Sequence, residues 1–538
     1  MDAYKVEKGL PKRTKSVCPE CGKLLDAVLE DRDGKVFMSK TCPVHGSYSD
    51  IYWSDTKLFL KAEEFAHDGV GLKNPSDKKL PAGENVHVYI DGMRVDMKTC
   101  SALANLDLTN RCNMNCPICF ANANQQGYVY EPDYDAVVKM LDALRAEEPI
   151  KCTAVQFSGG EPTIHPDFIR VVKAAKERGF AQVQAATNGI VFAKKYEFLK
   201  EASLAGLNTI YLSFDGLTDD IYLQARDRKM FQVKLDVLDN CRKLKKETGT
   251  CPSIVLVPTI VRGMNDHQIG DMANFAFDNS DVVRGINYQP VAFTGRMTKE
   301  ELEKGRFTLP DLVKAFGEQT GYTTSDDWYP VPVVAPISDF ASVILGENKV
   351  TFTTHPHCGL ATYVFMDEKG VVTPFPRFID VKRFTEGLAK LSKKTENAFF
   401  KKVGYRKLKL LLLLNKCVDG KKIPGGMSKW KFAKMLSSVM SKRSKKALAD
   451  FSWKVMFFGG MHFQDMHNYD VERVRRCGVH YVTPDCQIIP FCAYNGGPEY
   501  RKMVEKEFSI PLAEWKERNK KGAQELDEAL IVPEDQKA

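Results

Sequence analysis

No stretch of this 538-residue chain approaches the roughly 20 apolar residues that a membrane-spanning helix needs; the longest run, Leu410 to Leu414, is far too short. The opening residues, Met1-Asp2-Ala3-Tyr4-Lys5, lack the apolar core of a signal peptide. Neither sign of charge dominates: 77 Lys and Arg against 69 Asp and Glu leave a net +8. Such a balance tolerates phosphate groups of nucleic acid or anionic lipid without demanding either, and no nucleic-acid partner is expected. The 15 cysteines form metal-like clusters rather than an even disulfide ladder, which points to a reducing compartment. A cytoplasmic protein is expected, with peripheral contact to the inner face of a membrane left open. Hydrophobic residues at 43% and charged residues at 27% are those of a soluble globular protein, and the length allows about three domains.

One cysteine cluster organises the rest. Cys112, Cys116 and Cys119 form a C-x3-C-x2-C loop directly after the apolar run Leu103 to Leu108. Zinc usually takes a fourth ligand from a second C-x2-C or H-x3-H pair nearby, and none follows Cys119. Three thiolates on one loop fill three corners of an iron–sulfur cube and leave the fourth iron open. The spacing resembles that of the radical S-adenosylmethionine (SAM) superfamily, in which the open iron chelates SAM.

From residue 101 to about 310, strand and helix patterns alternate. Strands are expected at Ala104–Thr109, Thr153–Ser158, Gln182–Thr187, Thr209–Phe214, Ser253–Val261 and Gly285–Pro290. Helices are expected at Asp133–Ala146, Pro166–Arg178, Ala193–Ala205, Phe231–Glu247 and His267–Asp278. Repeated βα units imply a parallel sheet with right-handed crossovers. The expected fold is α/β, a partial (β/α)6 barrel, with its chemistry at the C-terminal strand ends. At those ends stand the cysteine loop, Ser158-Gly159-Gly160-Glu161-Pro162, Thr187-Asn188-Gly189 and Ser213. The superfamily resemblance implies that Gly159, Gly160 and Glu161 meet the SAM amino group. It also implies that Thr187, Asn188 and Ser213 lie near its methionine or ribose, and that Phe120 packs near adenine. Small polar residues also cap helices, which is the plain alternative for the last three. Cys152, Cys241 and Cys251 read as buried small residues.

Residues 1–100 carry Cys18-Pro19-Glu20-Cys21, a turn at Asp31-Arg32-Asp33-Gly34, and Cys42-Pro43-Val44-His45-Gly46. This looks like a rubredoxin-like ribbon for one mononuclear iron or zinc ion. Cys18, Cys21 and Cys42 are the expected ligands, with His45 or Cys100 as the fourth. Residues 68 to 85, rich in Gly, Pro, Asn and Lys, read as a linker.

Residues 311–500 hold five more cysteines, followed by a tail at 501–538. Late, dispersed cysteines in a radical SAM chain imply one or more auxiliary [4Fe-4S] clusters. Cys358, Cys477 and Cys492 are the favoured ligands, with Cys417 or Cys486 as the fourth; free buried thiols are the alternative. Leu408 to Leu414 is a leucine block, and Lys429 to Lys446 interleaves Trp430, Phe432, Met435, Leu436 and Val439 with Lys and Arg. That pattern is an amphipathic basic helix suited to an anionic membrane surface, or else one that packs on the core. Trp453 to Gly460 adds bulky side chains fit to line an apolar pocket.

Taken together, the CPECG and CPVHG ribbon, the TNRCNMNCPICFANAN loop, FSGGEPT, HPHCG and RCGVHY to PFCAYN resemble the archaeal tetraether lipid synthase family. The resemblance implies a radical enzyme that joins terminal carbons of phytanyl chains. Its substrate would be an archaeol-type phospholipid, and a ferredoxin- or flavodoxin-like protein would supply low-potential electrons. The alternatives are a radical SAM methylase or other C–H modifying enzyme on a pterin-like or peptide substrate, and, outside catalysis, an iron–sulfur electron carrier. An electron carrier has no need of Gly159, Gly160 and Glu161.

Overall fold

The computed structural model describes residues 6–74, 83–297, 302, 305–395, 403–434 and 454–520, with 522, 524, 528, 530 and 536. Four strands open the chain: β1 (Lys12–Val17), β2 (Leu24–Arg32), β3 (Lys35–Cys42) and β4 (Gly46–Trp53). They pair in sequence order as an antiparallel sheet. Short turns force that neighbour pairing, because an antiparallel link needs only a few residues. A hairpin, β5 (His87–Ile90) and β6 (Met93–Asp96), follows.

The body is one long sheet. Its barrel strands are β7 (Leu103–Thr109), β9 (Ala154–Gly159), β10 (Gln182–Thr187), β11 (Thr209–Ser213), β12 (Ser253–Val257) and β14 (Val283–Pro290). Between them lie the short β8 (Tyr128–Tyr130) and β13 (Thr259–Ile260). The six barrel strands are parallel and follow in chain order, as the alternating pattern predicts. The helix expected at Asp133–Ala146 runs Tyr134–Arg145, and Asp133 caps it by accepting from the Ala136 N–H. Two differences are local. The helix expected at Ala193–Ala205 is split into Ile190–Lys194 and Tyr196–Ala205. A further helix, Asp219–Arg226, has no counterpart in the sequence reading.

The sheet does not stop at residue 290. After β15 (Tyr329–Pro330), β16 (Gly359–Met366) and β17 (Val372–Pro374), β18 (Lys454–Met461) pairs parallel to β14 and antiparallel to β16. At the other edge β19 (Val479–Val482) pairs parallel to β7 and antiparallel to β20 (Ile488–Pro490). A last strand, β21 (Ser509–Pro511), pairs β8. The late part of the chain therefore extends the sheet at both edges.

Each barrel strand alternates. Leu106, Phe157, Ala185, Leu212, Leu256 and Ile286 face the helices and are fully buried in one core. The other face of every strand looks into the barrel.

The apolar features of the C-terminal region are core only in part, since Leu408, Leu412 and Trp430 are exposed. Leu410 and Leu414 are buried with Phe384, Leu388 and Phe378. Met456 and Phe458 of β18 are buried in the main core. The basic stretch is described only to Lys434; its remainder and Trp453 lie outside the described residues. Among the described residues no helix is long and apolar enough to cross a membrane.

Candidate active site

A cavity of about 300 Å³ opens at the C-terminal ends of the barrel strands. It is lined by Cys112, Cys116 and Cys119 together with Phe120, Gly159, Gly160, Glu161, Thr187, Asn188 and Ser213. Every residue expected at the SAM site thus faces one space.

The cysteine loop is held from several sides. Asn124, in the left-handed region at φ 66°, accepts from the Cys112 N–H and donates to the carbonyls of Cys112 and Met114. Arg226 makes a two-pronged pair with buried Asp215, at 2.7 and 2.9 Å, and donates to the Ile118 carbonyl. Arg296 donates to the carbonyls of Cys116 and Ala123. These fixings are built into the chain and do not need a ligand.

The two glycines also let backbone pack on backbone. Gly159 has φ +124°, and a Cβ there would fall 2.1 Å from the Thr109 carbonyl oxygen; at Gly160 it would fall 2.2 Å from that of Arg111. Gly160 N–H donates to the Thr109 carbonyl at 2.7 Å, and Glu161 N–H to that of Arg111 at 3.0 Å. The glycines let the turn clasp the base of the cysteine loop. The Glu161 carboxylate is engaged as well. It accepts from Thr187 Oγ1 and the Asn188 N–H, both at 2.8 Å, and from Thr163. Burial raises its pKa. Asn188 Nδ2 in turn donates to Asn113 Oδ1 on the cysteine loop. Phe120 is 47% exposed, with its ring 6.2 Å from that of Phe491.

Sequence reasoning missed Lys234. It lines the cavity, is 1% exposed, and donates to the Asn188 carbonyl at 2.6 Å, with Ser213 Oγ at 3.4 Å. Burial pulls its pKa down to about 7, against the opposing pull of Asp215. Nothing local marked it, since it sits on a helix, 21 residues past Ser213. Arg226 and Arg296 were missed for the same reason.

Burial holds the Cys112 and Cys116 thiols above the ordinary range, and each feels the neighbouring cysteine charges. Three thiolates together in a buried space repel one another, and a cationic iron–sulfur group relieves that repulsion. The donor set fits such a group.

In the ribbon, one ligand atom from each of Cys18, Cys21, Cys42 and His45 lies within 4.8 Å of the others. That grouping suits a single tetrahedral ion. Backbone N–H groups of Val44 and His45 lower Cys42 to about 6. Cys100 is not the fourth ligand: it is buried beside Thr351, on the far side of the linker.

Cys358, Cys477 and Cys492 converge around buried Arg473, whose charge faces Cys358 and Cys492. Cys477 feels both of these cysteines. Neither expected fourth ligand joins them. Cys417 is locked in the apolar cluster with Leu410 and Leu414, and Cys486 sits in a turn with its Sγ 3.8 Å from the Lys139 carbonyl.

Comparison with known proteins agrees with this architecture. The Radical SAM superfamily matches residues 106–276, and the HMPTM N-terminal zinc ribbon domain matches residues 10–54. The 7,8-dihydro-6-hydroxymethylpterin dimethyltransferase of Methanocaldococcus jannaschii is 43% identical over 519 residues, 96% of this chain and 99% of that one. A tungsten-containing aldehyde ferredoxin oxidoreductase cofactor-modifying protein of Pyrococcus furiosus is 31% identical over 173 residues, 32% of this chain and 46% of that one. The solved structure of Streptococcus suis SuiB bound to S-adenosylmethionine has a TM-score of 0.31 at 16% identity, over 41% of this chain and 47% of that one. The tetraether lipid synthase reading, with its archaeol-type substrate and membrane surface, is corrected by the first relative. That protein matches nearly the whole chain, ribbon and C-terminal region included, and is named for a pterin. Part of the apolar blocks that favoured the lipid reading is core: Leu410, Leu414, Met456 and Phe458 are buried. The chain is an enzyme that uses SAM and a [4Fe-4S] cluster, and it belongs to the radical SAM superfamily, in the family that carries the HMPTM N-terminal zinc ribbon.

Proposed function

We propose that the chain is a radical SAM methyltransferase acting on a pterin of the 7,8-dihydro-6-hydroxymethylpterin type. The observation that carries this is the 43% identity to a pterin dimethyltransferase along nearly the full length of both chains. In this reading Cys112, Cys116 and Cys119 hold the cluster. Gly159, Gly160, Glu161, Thr187, Asn188, Ser213 and Phe120 shape the SAM shelf. Held there, the cluster and SAM would supply the radical chemistry of the reaction.

The chain's own residues do the rest. Lys234 offers a buried cation beside Ser213, and its lowered pKa marks a site where a ligand carboxylate would offset the cost of burying charge. Arg226 and Arg296 keep the cysteine loop in place while substrates enter and leave. Cys358, Cys477 and Cys492 are proposed to hold one auxiliary cluster next to the same cavity, which Cys492 lines. A small low-potential electron carrier of the ferredoxin or flavodoxin type is the proposed reductant.

The test uses anaerobically reconstituted enzyme with SAM, dithionite and 7,8-dihydro-6-hydroxymethylpterin. Mass spectrometry is expected to show 5′-deoxyadenosine and a pterin heavier by one or two methyl groups. An unchanged pterin, with an archaeol-type lipid converted to C40 chains by the same preparation, would overturn the proposal.

A further inference from the structure

Below the rim, the barrel interior carries an unusual layer. Parallel barrels usually fill that space with branched aliphatic side chains. Here Tyr481, Asn105, Gln156 and Gln184 stand in one register row across four adjacent strands. Tyr211, which pairs with Ala186 two residues past Gln184, and Gln289, which pairs with Thr259, add polar lining nearer the rim, and all six face the cavity.

The side chains form a chain of hydrogen bonds. Gln184 Nε2 donates to Gln156 Oε1 at 2.6 Å, and Gln156 Nε2 donates to Asn105 Oδ1 at 3.0 Å. Asn105 hydrogen-bonds to the Tyr481 hydroxyl. At the far side Gln289 Nε2 donates to the Tyr211 hydroxyl at 3.3 Å. A primary amide has two N–H donors and two lone pairs. A chain of this kind uses one of each, so Gln156 and Gln184 keep a second donor and a second acceptor for the cavity. None of the six is charged.

The depth is also informative. Gln156 lies three residues before Gly159, and Gln184 three before Thr187. At about 3.3 Å per residue the amide row sits about 10 Å below the proposed SAM shelf. A two-ring planar molecule standing on the row would lift its far edge to that shelf.

We propose that this amide row is the head-group subsite, and that it reads the amino-oxo edge of the pterin by neutral hydrogen bonds. That edge presents N–H donors and an oxo acceptor in one plane, which matches paired amides. The inference rests on the pterin reading and adds the residues that select for it.

The experiment measures KM and equilibrium Kd for 7,8-dihydro-6-hydroxymethylpterin in Gln156→Met and Gln184→Met, with SAM affinity measured alongside. Each variant removes the amide while keeping chain length. The expected result is a rise of roughly tenfold or more in KM and Kd for the pterin, with SAM affinity unchanged. If a Met variant does not fold, Gln184→Glu keeps the shape, removes the amide donor, and is expected to weaken the pterin likewise. If the wild-type enzyme methylates the pterin and the variants do so with unchanged KM, only the amide subsite is overturned; a lowered thermal midpoint in those variants would then mark the row as structural. If the wild-type enzyme neither binds nor methylates a pterin, the functional reading falls, and the subsite with it.

Discussion

Glu147 is a buried carboxyl with no place in the proposed chemistry. It is 1% exposed, and Ser101 Oγ donates to its Oε1 at 2.7 Å. The same Ser101 hydroxyl lies 2.9 Å from His480 Nδ1. Burial raises Glu147 to about 8 and lowers His480 to about 3, so at neutral pH both groups are uncharged. A carboxyl whose folded pKa is raised holds its proton while the unfolded chain loses it. Its contribution is fully present below about 4.5 and is lost as pH rises toward 8. The full shift corresponds to on the order of 5 kcal/mol. Glu147→Gln keeps an acceptor for Ser101 and cannot ionise. Thermal or denaturant midpoints taken from pH 5 to 8 are expected to fall with pH more steeply in the wild type than in the variant. Equal slopes would show that Glu147 is not the group responsible.

The cysteine loop is positioned by elements far away in sequence. Gly295, at φ +67°, lets the segment after β14 lie against the loop; a Cβ there would meet the Cys119 carbonyl oxygen at 2.2 Å. Its neighbour Arg296 supplies the hydrogen bonds that pin the loop. Gly295→Ala combines backbone strain with a clash, at a cost of about 1–3 kcal/mol. That strain falls on the loop rather than on the barrel. The variant is expected to keep the wild-type far-UV circular dichroism and to bind less iron after reconstitution, read as iron per chain and absorbance near the visible cluster band. Full iron loading would refute this role for the segment.

A buried ion cluster is among the contacts that join the ribbon to the molecule. Arg306 pairs with Asp50 of β4 at 2.6 Å and with Asp465 at 2.7 Å, and Asp465 also accepts from the Phe293 N–H. Arg306 pulls the Asp465 carboxyl down to about 2, against the penalty of burial. A lowered carboxyl pKa stabilises above the unfolded value near 4, and that stability is lost as pH falls toward 2. Leaving a buried charge short of its partner costs about 3 kcal/mol. Asp465→Asn is expected to lower the thermal midpoint and to expose the ribbon, residues 10–54, to protease. The variant should also lose the acid-side slope between pH 4 and 2. A ribbon that stays protected would show that its other contacts suffice.

Sequence alone determined what is local and periodic. Alternating apolar residues specify a strand, a 3.6-residue stripe specifies a helix, and their alternation specifies a parallel barrel. The C-x3-C-x2-C loop, the Gly-Gly-Glu turn and the two ribbon pairs, Cys18 with Cys21 and Cys42 with His45, were legible because each is a short run of a few residues. Cys18, Cys21, Cys42 and His45 accordingly meet at one point. What joins distant segments was not legible. Lys234, Arg226 and Arg296 reach the site from separate elements, and no spacing in the chain encodes a contact made through space. The same limit explains Cys417 and Cys486. As residue types they were equal candidates beside Cys358, Cys477 and Cys492, and only packing sent one into an apolar cluster and the other to a turn. The leucine block read as part of a lipid-contacting region, and the β18 apolar run as the lining of an apolar pocket, because hydrophobicity states that a side chain avoids water. It does not state which partner covers it. The tertiary structure made that choice by packing Leu410 and Leu414 into one apolar cluster and Met456 and Phe458 of β18 into the main core, and it left the polar amide row facing the cavity.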